Sequence, residues 1–122
     1  MHPGVNGRVV YSSPFVPAEL IAAHGFVPDR AIPRRGSPPP EGVCPYAHAF
    51  ADGVRADGGA AAAVFATVCD QMRRAFEAAR RESSPPLFLL QVPHTWQTPG
   101  TRRYYAAELD RLGRFLCAIG GA

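Results

Sequence analysis

Short apolar runs alternate with amphipathic stretches along the chain, and each change of period marks an element. The run RVVYSS (8–13) is apolar and β-branched and ends in serines before Pro14, which predicts a strand over 8–12 entering a turn. PAELIAAHG (17–25) has proline in its first turn, Glu19 near the positive end of the helix dipole and Gly25 as a stop, which predicts a helix over 17–24. FVPDRAI (26–32) reads as a second strand that Pro28 makes either an edge strand or an irregular one. PRRGSPPPEG (33–42) is loop.

PYAHAFADGVRA (45–56) carries Tyr46, Phe50 and Val54 four apart, with Pro45 acceptable at the first helical position. Cys44 then sits at or just before a helix N-terminus. In AAAAVFATV (60–68) the β-branched and aromatic residues outweigh the alanines and predict a strand buried on both faces, with Cys69 at its C-terminal end. DQMRRAFEAARRES predicts an amphipathic helix over 70–82, capped by Asp70, with Met72, Ala75, Phe76 and Ala79 on its apolar face. PLFLLQV (86–92) is a buried strand that ends in the polar and aromatic loop PHTWQTPG. The last helix, over 102–119, has the stripe Tyr105, Leu109, Leu112, Leu116 and Ile119, and Cys117 beside that stripe reads as core.

Strands alternating with helices predict a single α/β domain of three layers, a mostly parallel, Rossmann-like sheet flanked by helices. A length of 122 residues suits one domain with a real core. With 47% hydrophobic and 19% charged residues the chain is globular rather than disordered, and no apolar run is long enough to cross a bilayer. The N-terminus MHPGVNGRVV has neither a basic leader nor an apolar segment behind one, so the cytoplasm is the expected location. Three cysteines, an odd number, argue against a disulfide framework and leave thiols, metal ligands or core residues. All 13 basic residues are arginine, the net charge is only +3, and the arginines come as scattered pairs rather than as a longer basic stripe with interleaved aromatics, so a nucleic-acid partner is not expected.

In open parallel sheets, ligands bind beyond the carboxyl ends of the strands, where loops and helix N-termini converge. Four groups reach that rim: Ser12 and Ser13 after the first strand, Cys44 after the long loop, Cys69 after the alanine-rich strand, and His94, Thr95 and Trp96 after the last. A helix N-terminus favours the thiolate that binds metal. Taken singly each has a plainer reading: cysteine is among the most buried residue types, and serines are good turn formers. Cys44, His48, Cys69 and His94 could also form a Cys2His2 zinc site, which would make the chain a structural or interaction module; a metal-free scaffold is a third reading.

The segments VYSSPFVPAELIAAHGFVP, GVCPYAHAF, TVCDQMRRAFE and FLLQVPHTWQT, in that order and spacing, resemble the N-terminal region of the 2-hydroxyacyl-CoA dehydratase and benzoyl-CoA reductase family, D-component type. The resemblance runs from Val10 to Gly121, and its most specific pieces are G-x-C-P-Y and V-C-D-x-x-R-R. It implies a four-iron-four-sulfur (4Fe-4S) cluster ligated through Cys44 and Cys69. It further implies that an ATP-hydrolysing iron-sulfur activator injects an electron, which the cluster passes to a CoA thioester whose ketyl radical eliminates water or is reduced further. Ser12 and Ser13 fall where family members contact substrate. Family subunits are longer, and their second α/β domain supplies a third cysteine ligand. This chain stops where that domain should start, and Cys117, read as core, does not replace the ligand. The chain is therefore expected to be a fragment, a split subunit or a remnant, with dehydratase or reductase chemistry only alongside a partner domain.

Overall fold

The computed structural model of the protein describes residues 7–32, 38–39, 41–80 and 85–121. Strands β1 (Arg8–Tyr11), β2 (Val27–Arg30), β3 (Ala60–Ala66) and β4 (Leu87–Leu90) alternate with helices α1 (Ala18–Ala23), α2 (Pro45–Ala56), α3 (Asp70–Arg80) and α4 (Pro99–Ala118). The strands form one sheet in the order β2-β1-β3-β4, and every pairing is parallel. The three-layer α/β reading of the sequence therefore holds. Pro28 lies in the edge strand β2, where the sheet tolerates it.

Period-two alternation divides the core between two faces. Val9, Tyr11, Ala62, Val64, Ala66, Phe88 and Leu90 face the layer built by α1 and α4, where Ile21, Leu112 and Leu116 close over them. Val10, Ala63 and Phe65 face α2 and α3, against Phe50, Val54, Met72 and Phe76. Central β3 is covered on both sides, which is why its sequence reads as a continuous apolar run. Phe65 anchors one half of it, edge-on to Phe50 at 4.9 Å and to Phe76 at 5.7 Å. Arg8 ties β1 to β2 and to the α2–β3 connection, donating to Asp29 at 2.7 Å and to Asp57 at 2.8 Å. Hydrogen bonding from Arg8 holds the Asp57 carboxyl below its usual range.

Several expectations need correction. β3 ends at Ala66, and Val68 is exposed beyond it. On α2 the buried face is Ala47, Phe50, Ala51 and Val54, while Tyr46 is exposed because it lies one helical step from Ala47 and off that face. Asp70 is the first residue of α3 rather than its cap, since Cys69 stands before the helix and accepts from the Met72 N–H at 3.2 Å; the Asp70 carboxylate instead takes Arg73 and Arg74. Residues 81 and 82 of that predicted helix lie outside the described residues. α4 begins earlier than expected because the Thr98 hydroxyl accepts from the Thr101 N–H and Pro99 starts the helix. Its stripe is as expected, with Leu112 and Leu116 buried and Tyr105, Leu109 and Ile119 packed beside them. Cys117 is not core. One residue past Leu116 rotates it about 100° off the stripe, and it is exposed, with its Sγ 3.6 Å from His24 Nδ1.

Candidate functional site

α1 leaves β1 on one face of the sheet and α3 leaves β3 on the other, so a crevice opens between the carboxyl ends of these neighbouring strands. The β1 side of the crevice is a tight turn. Ser12 and Ser13 are both buried; the Ser13 hydroxyl accepts from the Phe15 N–H at 3.2 Å, its carbonyl accepts from the Val16 N–H, and the Ser12 carbonyl accepts from Arg30 Nε at 3.0 Å. Above this turn Phe15 stacks on Trp96 with rings 6.3 Å apart, and Trp96 meets Tyr105 edge-on at 4.9 Å. The Tyr105 hydroxyl donates to the Phe15 carbonyl at 2.7 Å, which joins the loops after β1 and β4. Burial and the nearby Glu19 charge push the Tyr105 hydroxyl above its ordinary pKa.

On the opposite face the two motif cysteines stand at the N-termini of α2 and α3. Cys44 occupies the N-cap position of α2, half-buried against the core that α2 shares with α3, and its side chain makes no capping bond. Its backbone N–H donates to Gln71 Oε1 at 3.1 Å, and Gln71 Nε2 donates to the Gly42 carbonyl at 3.4 Å. Gln71 lies in the first turn of α3, two residues after Cys69, so one side chain links the two helix starts. Cys69 is exposed and lines an open cleft of about 470 Å³ with Thr67, Arg73, Gln91, His94 and Tyr104. The Tyr104 hydroxyl donates to Gln91 Oε1 at 2.9 Å across this cleft.

Cys44, Cys69, His94 and the Ser12–Ser13 turn thus all lie on the carboxyl rim, while Cys117 lies with His24 at the opposite edge. His48 is one turn into α2, turned to Asp52 at 3.4 Å, and Asp52 also contacts Arg55. Among the described residues no three His, Cys, Asp or Glu side chains are gathered to hold one metal ion. The four residues of the zinc reading are therefore not drawn together. Two thiols at adjacent positive helix ends match part of a thiolate ligand set for an iron–sulfur cluster, and they do not complete one.

The sequence reading missed Gln71 and Glu108. Glu108 is only 7% exposed and lies on the buried side of α4. Its carboxylate accepts from the Gln91 N–H at 2.8 Å and from Arg111 at 2.8 and 2.9 Å. Arg111 also donates to the Leu89 carbonyl and lies over the Phe88 ring at 4.2 Å. Burial pushes the Glu108 carboxyl up, but the bonds from Arg111 and Gln91 together with the Arg111 charge outweigh it and hold the group below the usual range. The signal for this pair was present as Glu and Arg spaced i,i+3.

These features define a doubly wound parallel α/β domain with a thiol-bearing carboxyl rim. The family model of the 2-hydroxyglutaryl-CoA dehydratase D-component matches residues 14–122, and the chain belongs to that family. The match contains Cys44 and Cys69 and begins just after Ser12 and Ser13. No curated protein matches the chain. Among the described residues no helix is long and apolar enough to cross a membrane.

Proposed function

We propose that this domain is part of the iron–sulfur component of a 2-hydroxyacyl-CoA dehydratase-type enzyme, with Cys44 and Cys69 as two thiolate ligands of a 4Fe-4S cluster. The observation that carries the reading is the Gln71 link between two helix N-termini, each bearing a family-motif cysteine on one rim. When bound, such a cluster supplies a low-potential route for single electrons, here from an ATP-dependent iron–sulfur activator to a CoA thioester. The chain's own part is local. The positive ends of α2 and α3 offset thiolate charge, the Gln71 bond fixes the start of α2, and the buried Ser12–Ser13 turn forms the β1 wall of the crevice on the substrate side.

The remaining ligation is assigned to a partner domain or subunit docking on the rim. Among the described residues the large exposed apolar side chains Phe15, Ile32, Tyr46, Val68, Trp96 and Tyr104 all belong to that end of the molecule, and only Val27 lies at the other. A rim of this composition is what a covering partner would bury. The same rim is the measure of any benzoyl-CoA reductase-like activity, since both chemistries need the same electron route.

Anaerobic reconstitution with iron, sulfide and a small exogenous thiol to fill the open coordination positions tests the assignment. Iron and acid-labile sulfide should bind in equal amounts and give a centre that becomes paramagnetic on one-electron reduction. Cys44→Ser and Cys69→Ser should each abolish it, and Cys117→Ser should leave it unchanged. Stoichiometric zinc in place of iron, or cluster uptake indifferent to Cys44 and Cys69, overturns the reading.

A further inference from the structure

β4 is an edge strand, and its outer edge is only half closed. The Pro86 and Leu90 carbonyls point to β3, accepting from Ala63 and Thr67, so by alternation Leu87, Leu89 and Gln91 present their backbone groups outward. Glu108 takes the Gln91 N–H and Arg111 takes the Leu89 carbonyl, as a neighbouring strand would. The Leu87 N–H and C=O and the Leu89 N–H have no such partner from α4. They face a groove of about 550 Å³ whose α3 wall carries Phe76, Glu77 and Arg80. A strand following α4 in the same chain could not fill this place by a right-handed crossover, because α4 lies on the α1 face and that hand carries the chain back toward β3.

We infer that the groove takes β4 of a second copy of this chain, antiparallel about a two-fold axis at Leu87, which joins two sheets into one of eight strands. At that register each Leu87 N–H donates to the other copy's Leu87 carbonyl, and each Leu89 N–H meets a Pro85 carbonyl. Pro85 has no N–H to offer the Leu89 carbonyl, which Arg111 already satisfies. Charge supports a copy of the same chain as occupant. α3 packs over both β3 and β4, so a strand spacing of about 4.8 Å brings the two α3 helices to roughly 10 Å, an ordinary helix-packing distance. Running antiparallel, they set Glu77 of each copy against Arg80 of the other, and neither forms an ion pair within its own chain among the described residues. The rim remains open, so this contact is independent of the cluster reading.

Sedimentation velocity over a concentration series tests it. The chain should show a monomer–dimer equilibrium, Glu77→Arg and Arg80→Glu should each weaken it about tenfold, and the double variant, which restores complementary charges, should recover it. Hydrogen exchange should show the Leu87 and Leu89 amides protected only at concentrations where the dimer forms. A monomer at all concentrations, a dimer indifferent to both reversals, or a double variant as weak as the singles overturns the inference. Because Glu77 and Arg80 are exposed on α3, circular dichroism of each variant confirms that the fold is kept.

Discussion

Glu108→Ala removes one side chain that serves two elements. The carboxylate accepts from the Gln91 N–H at 2.8 Å and makes two bonds to Arg111. A charge-assisted bond to a backbone N–H contributes about 1.5–3 kcal/mol. The Arg111 pair counts for less, because the Arg111 side chain is 41% exposed and can rehydrate, which places it near the about 0–1 kcal/mol of a surface pair. The expected loss for Glu108→Ala is therefore about 2–3 kcal/mol, and Glu108→Gln, which keeps an acceptor for Gln91, should lose about half as much. The assay is urea unfolding at neutral and acid pH. Because Glu108 titrates below its ordinary value when folded, its charge stabilises the fold above the unfolded pKa of about 4.3, and this contribution disappears as pH falls through the folded value. The gap between wild type and Glu108→Gln should thus narrow in acid. A gap that stays constant from neutral pH to pH of about 3, or an alanine variant within about 0.5 kcal/mol of wild type, refutes this account of the β4 edge.

Phe65→Ala should cost about 3–5 kcal/mol in chemical denaturation, since the ring is fully buried between Phe50 and Phe76. Gln71→Ala should cost only about 1 kcal/mol overall, but it should raise the exchange rate of the Cys44 amide, which loses its acceptor; an unchanged Cys44 amide would remove the link between the two helix starts. Arg8→Gln should return the Asp57 carboxyl toward its ordinary pKa in an NMR titration and so reduce the acid sensitivity that Asp57 confers in wild type as pH falls through its depressed folded value.

The layers of this fold are legible in the sequence because burial and secondary-structure period coincide there. β3 and β4 read as continuous apolar runs because helices cover both faces, and the α4 stripe reads correctly down to Leu116. Helix starts are less legible. Cys69 rather than Asp70 precedes α3, and Thr98–Pro99 is a capping signal hidden inside a loop-like polar stretch. The burial of Glu108 is invisible to a reading that expects only apolar groups on a buried helix face, because the Gln91 N–H it accepts from, and the Leu89 carbonyl that its partner Arg111 bonds, lie outside α4. Cys117 was misplaced by a single helical step. Gln71 could not be found from the pattern either, since its role depends on α2 and α3 lying side by side.

That adjacency follows from lengths as much as from topology. Cys44 and Cys69 are separated by one descending helix and one ascending strand. α2 has 12 residues, about 18 Å at 1.5 Å per residue, and β3 has 7 residues, about 23 Å at 3.3 Å per residue. The short turn between them reverses the chain at the amino edge, so the descent and the ascent nearly cancel and both cysteines emerge at the carboxyl edge. Both connections of β3 also run over the same face of the sheet, which places the α2 and α3 starts next to one another rather than on opposite sides. Two thiols 25 positions apart are therefore brought to one rim by the same geometry that builds the core, and Gln71 fastens the arrangement at the point where the two helices begin.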